Sequence, residues 1–211
     1  MNLENFYNEI KDHTITSPER IKSLYESLEY IKDKNIEGDL VECGVFKGGN
    51  VLGMRNFCKA NKLNKKIWGY DTFEGMTAPL DCDVDLHGRP AKDILGQVMC
   101  SCSYEEVTNL LNDGENLVEL QLVKGDVLQT LNSVENIPDK ISLLRLDTDW
   151  YESTKFELEK LFPLVSIGGI IIIDDYGHWG GCRIAVDEFF KNSDYTFEQI
   201  DYTGIKIIKH K

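Results

Sequence analysis

The sequence predicts an α/β fold built on a doubly wound, mostly parallel seven-stranded sheet with helices on both faces. Three observations carry this expectation. Strand patterns alternate with helix patterns from residue 39 onward, as in a parallel sheet. The run Ile170 to Ile173 is apolar without a break, as in a strand covered on both faces. Two strand patterns, 195–200 and 205–209, lie close together, so they pair antiparallel at one edge and the last strand runs against the rest.

In chain order, residues 3–12 and 17–33 are predicted helices. The second repeats apolar residues at Ile21, Leu24, Tyr25, Leu28 and Ile31, one helical face. Ser17 before Pro18 supplies an N-cap with proline at the first helical position. Strands follow at 39–43, 67–71, 117–123, 141–147 and 170–173, with helices at 48–62, 103–113, 152–162 and 182–191. A short helix starts at Val127, and Asn112-Asp113-Gly114 forms a helix stop. Residues 72–102 are irregular, with room for a short helix. The whole of 1–211 is read as a single domain in which 1–35 are N-terminal helices and 76–102 a lid, since an irregular stretch of that length is usually functional or disordered.

Bulk properties narrow the function. The net charge is -13, which disfavours a nucleic-acid partner and an anionic membrane surface, both of which need clustered Lys and Arg. The longest apolar stretch, 167–173, is too short to cross a bilayer. The N-terminus mixes acids and lysines, unlike a signal peptide, which gives a cytoplasmic expectation. The six cysteines form no C-x-x-C pair and are read as ordinary thiols. A homo-oligomer is left open.

In a sheet of this kind ligands sit beyond the carboxyl ends of the strands. The first strand runs into Glu42-Cys-Gly44-Val-Phe-Lys-Gly48-Gly49. Against the dinucleotide fingerprint, Glu42 and Lys47 stand where glycines belong, and a carboxylate opposes a pyrophosphate. An acid suits a ligand with an ammonium, such as the methionine part of S-adenosylmethionine; alternatively Glu42 is simply solvated. The second strand ends in Asp71, followed by Thr72 and Phe73, where an acid grips a ribose diol or else caps a turn. The third ends near Asp126 and Val127. Asp126 suits an adenine amino group and equally an N-cap.

The fourth strand ends in Asp147-Thr148-Asp149 and the fifth in Asp174-Asp175. If these strands are neighbours, Asp147, Asp174 and Asp175 converge. Clustered carboxylates repel, a bound cation relieves that, and oxygen-only ligands favour a hard ion such as Mg2+. Helix caps are the competing explanation.

These residues carry a resemblance. Leu146-Asp-Thr-Asp-Trp-Tyr-Glu-Ser-Thr154, Gly168-Gly169, Ile173-Asp-Asp-Tyr-Gly177, Cys182-Arg183 and Ala185-Val186-Asp187 resemble the macrocin O-methyltransferase family, which includes the sugar methyltransferases of macrolide antibiotics and the novobiocin O-methyltransferase. Val41-Glu-Cys-Gly-Val45, Gly69-Tyr-Asp-Thr-Phe-Glu-Gly75 and Ser103-Tyr-Glu-Glu-Val107 fit it too, so the likeness spans about residues 38–190. The resemblance implies a sheet of the class I methyltransferase type and S-adenosyl-L-methionine as donor, with contacts from Glu42, Gly44, Asp71 and Asp126. It also implies magnesium on Asp147, Asp174 and Asp175, and a small-molecule hydroxyl acceptor, often on a sugar. The chain is short and lacks the extra N-terminal domain of some macrolide members. The metal-dependent catechol methyltransferases carry a lysine base three residues after their first metal aspartate. Here that residue is Trp150, which leaves Asp147 and His178 as candidate catalytic bases.

The implied reaction is direct methyl transfer to a metal-activated hydroxyl. Two other readings compete. A metal-dependent hydrolase or phosphoryl-transfer enzyme would need phosphate-binding lysines or a P-loop, and no P-loop is present. A non-catalytic nucleoside-binding module would not need the aspartates.

Overall fold

The chain is described by a computed structural model that covers every residue except Val98, Met99, Asp113, Glu115 and Asn116. The expected helix stop at Asn112-Asp113-Gly114 therefore lies partly outside the described residues.

The N-terminal helices are α1 (Leu3–Ile10) and α2 (Pro18–Lys34). Ser17 caps α2 as expected, its hydroxyl accepting from the Arg20 N–H at 3.2 Å. The alternating part follows as β1 (Asp39–Cys43), α3 (Gly49–Asn61), β2 (Ile67–Asp71), α4 (Ala91–Ile94), α5 (Tyr104–Leu111), β3 (Leu120–Lys124), α6 (Val127–Thr130), β4 (Ile141–Leu146), α7 (Tyr151–Leu161), β5 (Val165–Ile173), α8 (Gly180–Phe190), β6 (Glu198–Gln199) and β7 (Ile205–Ile208). Strand β5 begins five residues earlier than its apolar run suggested, because Val165 already pairs with Ile141.

The sheet order is β3-β2-β1-β4-β5-β7-β6. The first five of these positions are parallel, and β7 runs antiparallel to both β5 and β6. The expected antiparallel closure is present, and β7 lies inside it with the two-residue β6 outermost. The order reverses between β1 and β4, so their carboxyl ends open the crevice where ligands bind in such sheets.

Side chains alternate across the sheet, and each face meets its own helices. Val41, Cys43, Leu144, Leu146, Ile171 and Ile173 share a core with α7 and α8. Leu40, Leu143, Ile170 and Ile172 pack with α1, α2 and α3. Glu42 and Arg145 belong to this second face by the same alternation, and they are directly paired across β1 and β4. A buried acid and a buried arginine thus face the N-terminal helices.

Those helices are integral to the domain. Phe6, in α1, is fully buried and lies edge-on to Tyr25 of α2, which in turn meets Phe57 of α3. Room for Phe6 comes from Gly53 in the middle of α3, where a Cβ would stand 2.7 Å from the Phe6 ring. Gly53→Ala is a stringent check. Helix propensity alone predicts a gain of about 0.5–1 kcal/mol; the contact predicts a net loss, read as a lower urea midpoint and melting temperature.

Candidate active site

A cavity of about 520 Å³ opens at the carboxyl ends of β1, β2, β4 and β5. One half is built largely from backbone. Gly44 has φ +86°, and a Cβ there would run into the Asp147 carbonyl oxygen, so only glycine lets β1 turn beside β4. The loop after it is held by Asp71, whose Oδ2 accepts from the N–H groups of Val45 at 2.7 Å and Phe46 at 2.9 Å. Asp71 Oδ1 accepts from the Phe73 N–H at 2.7 Å. Asp71 therefore fixes the loop and still lines the cavity beside Thr72. On the far wall, Asp126 caps α6 by accepting from the Leu128 N–H at 2.9 Å, and it lines the cavity with Val127. The N-cap read for Asp126 in the sequence is present.

The other half is built from charge. Asp147, Asp149 and Asp175 each place a carboxylate oxygen within 4.8 Å of the others. Asp175 Oδ2 is buried with no partner among the described residues. Burial, with Asp149, Asp147 and Asp174 nearby, pushes the Asp175 acid well above the usual carboxylate range. Burial also pushes Asp149 up to about 7, with the charge of Asp147 adding to the effect. Asp149 adopts φ 67°, a left-handed conformation that aims its side chain into the cluster at some backbone cost.

Arg145 organises the acids around it. Its side chain is 1% exposed. Nη1 donates to Glu42 Oε1 at 2.7 Å and Asp147 Oδ2 at 2.6 Å. Nη2 donates to Asp174 Oδ1 at 2.5 Å and Thr16 Oγ1 at 3.2 Å. The second oxygen of Asp174 pairs with Arg20 of α2.

Several contacts anchor described parts of the segment after β2 to the rest of the domain. The Trp150 indole donates to the Thr77 carbonyl at 3.0 Å. Asp83, fully buried, accepts from the N–H groups of Leu80 at 2.7 Å and Tyr151 at 2.9 Å, tying the segment to the start of α7. Asp85 bridges to Trp179 and accepts from Arg89 Nε at 2.6 Å. Met76, Thr77, Arg89, Ile94 and Cys100 thereby reach the cavity.

The sequence profile of the family Macrocin-O-methyltransferase (TylF) matches residues 9–209. The chain belongs to the macrocin O-methyltransferase family. Demethyldecarbamoylnovobiocin O-methyltransferase of Streptomyces niveus is 32% identical over 199 residues, 92% of this chain and 74% of that protein. A tetracenomycin rhamnosyl 4'-O-methyltransferase of Streptomyces olivaceus, which methylates the 8-(2,3-dimethoxy-alpha-L-rhamnosyl) compound, is 31% identical over 203 residues, again 92% and 74%. The structure of the O-methyltransferase NovP superimposes with a TM-score of 0.83 at 28% identity, covering 94% of this chain and 83% of that one. The calicheamicin methyltransferase CalS11, at 18% identity and a TM-score of 0.69 over 98% and 90%, shares the fold. Family and fold make this chain an S-adenosylmethionine-dependent O-methyltransferase.

Several residues singled out in the macrocin O-methyltransferase motifs take unexpected places. Glu42, expected at the donor's ammonium, is fully buried and does not line the cavity; Arg145 and Asn50 Nδ2, at 3.0 Å, hold its Oε1. Burial pushes its carboxyl up to about 8. Gly44, Asp71, Thr72, Asp126 and Val127 line the cavity, whereas Phe73 sits behind it in the core and contributes only its N–H to Asp71. Asp174 lines the cavity but gives both oxygens to arginines, and Asp149 takes its place in the carboxylate cluster. His178 stands at the rim beside Trp179 and Tyr202, with burial lowering its proton affinity. Sequence reasoning missed Asp149, Arg145 and Arg20. Arg145 had a signal, as the only charge within the apolar strand 141–146; Arg20 had none, because it comes from a helix outside the motifs.

Behind the cluster, Glu157 of α7 is fully buried, with Thr148 Oγ1 3.0 Å from each carboxyl oxygen. Burial raises its proton affinity well above normal, so it stays neutral in the fold. An acid raised on folding loses stability as pH climbs above its unfolded value of about 4.3. Glu157→Gln removes that titration while keeping shape. The variant should gain on the parent in denaturant titrations as pH rises from 5 to 8; an unchanged difference across that range would count against a neutral Glu157.

Proposed function

We propose that this enzyme methylates a sugar hydroxyl of a glycosylated small molecule, with a divalent metal, magnesium, held by Asp147, Asp149 and Asp175. The observation that carries the reading is the convergence of three carboxylates on the floor of the cavity whose other half is the donor loop. The residues suit such an ion: all-oxygen ligands favour a hard cation, and a buried, partnerless Asp175 oxygen is costly without one. The relative that methylates a rhamnosyl tetracenomycin supports the acceptor class.

When bound, the metal would supply Lewis acidity that makes an acceptor hydroxyl easier to deprotonate. The protein's residues do the rest. Asp71 and Thr72 offer oxygens to the ribose of S-adenosylmethionine, and Asp126 to its adenine. Gly44 lets the donor's methionine end approach the backbone. Arg145 holds Asp147 in place through its Oδ2. His178, at the rim of the cavity beside Trp179 and Tyr202, is the group placed to take the acceptor's proton and pass it to solvent. The segment 76–102 serves as a lid that excludes water and shapes the acceptor side.

Labelled methyl transfer to a panel of glycosides, with and without chelator, tests the reading. Turnover should vanish with chelator and return with magnesium. Asp175→Asn should lose at least about 10–100-fold in rate while still binding the donor, since even partners beyond a metal's direct ligands cost that much. Asp71→Asn should weaken donor binding instead. Undiminished turnover in excess chelator would overturn the metal.

A further inference from the structure

Arg20 lies in the second N-terminal helix, far in sequence from every strand end, yet it lines the cavity with a side chain only 12% exposed. Its guanidinium is fixed from three directions. Nη1 pairs with Asp174 Oδ2, Nε donates to Asp201 Oδ2 at 2.9 Å, and Nε also lies 3.2 Å from the hydroxyl of Ser17, the cap of its own helix. Ser17 in turn donates to the same Asp201 oxygen at 2.7 Å. Asp201 is held by the N–H groups of Thr203 at 3.0 Å and Gly204 at 2.7 Å, in the loop that leads into β7.

Asp147, Asp149, Asp174 and Asp175 lie together at the floor; Arg145 pairs with Asp147 and Asp174, and Arg20 with Asp174. Asp174, next to the three converging carboxylates, is satisfied by protein cations alone. A divalent ion entering the cluster would meet Arg20 as a like charge, and Asp174 as an acid that Arg20 already holds.

We propose that Arg20 is a positioning residue that acts as a built-in competitor of the metal: it holds Asp174 in the metal-free site and opposes the incoming ion. Metal loading then loosens the tie that Arg20 makes between Asp174 and Ser17, the residue that follows the cavity wall of Thr14, Ile15 and Thr16. Metal occupancy and the shape of that wall are therefore linked through one guanidinium. The inference rests on the metal reading of the site, and its test separates the two.

Manganese binding to the intact protein, followed by calorimetry or electron paramagnetic resonance at low salt, is the measurement. Wild-type protein should bind one ion; no binding at all would overturn the metal site itself. Arg20→Gln should bind manganese more tightly. Even in the dielectric of bulk water, removing a unit charge about 10 Å from a divalent ion changes its affinity about fourfold. Arg20→Lys, which keeps the charge, should stay near the parent. A merely structural arginine predicts the reverse, weaker metal binding in Arg20→Gln together with a lower melting temperature. Equal or weaker binding by a folded Arg20→Gln overturns the competition. A second reading needs no variant: amide exchange over residues 15–20 should quicken when wild-type protein is loaded with manganese, and unchanged protection there would also overturn it.

Discussion

Arg145 is a full positive charge in the middle of a parallel sheet, and much of the active-site geometry is arranged around it. Removing such a group from water is tolerable only if its donors are met and its charge is matched. Glu42 lies directly across the neighbouring strand, while Asp147 and Asp174 lie just past the ends of its own strand and the next. Losing one partner of a buried pair typically costs about 3–5 kcal/mol, because the other charge is left stranded. That constraint couples parts of the chain remote in sequence. It ties the donor loop, through Glu42 and Asn50, to both carboxylate loops, and through Thr16 to the N-terminal wall.

The two halves of the cavity are stabilised by different means. The half around Asp71 depends on backbone N–H groups converging on that residue and on a glycine that allows β1 and β4 to approach closely. The half around Asp147, Asp149 and Asp175 depends on buried acids, two arginines and a segment pinned by Asp83, Asp85 and Trp150. It is electrostatically stressed, and therefore responsive to what enters it. Segments anchored at a few points can change sequence without disturbing the loop that Asp71 holds.

Much of this was legible in the sequence. The alternation of strand and helix patterns gave the parallel sheet, and the residues at strand ends located the cavity, because parallel sheets put ligands there whatever the family. The motifs around Asp147, Asp174 and Asp175 pointed to the family that the profile and relatives identify. Side-chain direction was harder. Glu42 was read as facing a ligand because it precedes a glycine loop, yet alternation along β1 turns it toward α2 and into Arg145. Asp149 was passed over because whether it reaches the cluster depends on a single left-handed residue, itself. Arg20 was invisible because its partner, Asp201, is 181 positions away. Strand boundaries and loop identities are local properties; which of several acids faces which cation is a tertiary one.

The interior position of β7 carries a consequence for how the chain is made. During synthesis, residues 170–173 emerge well before residues 205–208, which form the neighbouring strand. Until then β5 offers a row of unpaired peptide groups carrying four consecutive isoleucines, a template to which another nascent chain can add. The two residues of β6 cannot cover it, because they pair with β7 rather than with β5. Completion of the sheet is thus a late, non-local event that adds β7, with β6 beyond it, to the edge that β5 offers. The period before that insertion is when crowding and chaperone supply would bear most on the yield of folded enzyme.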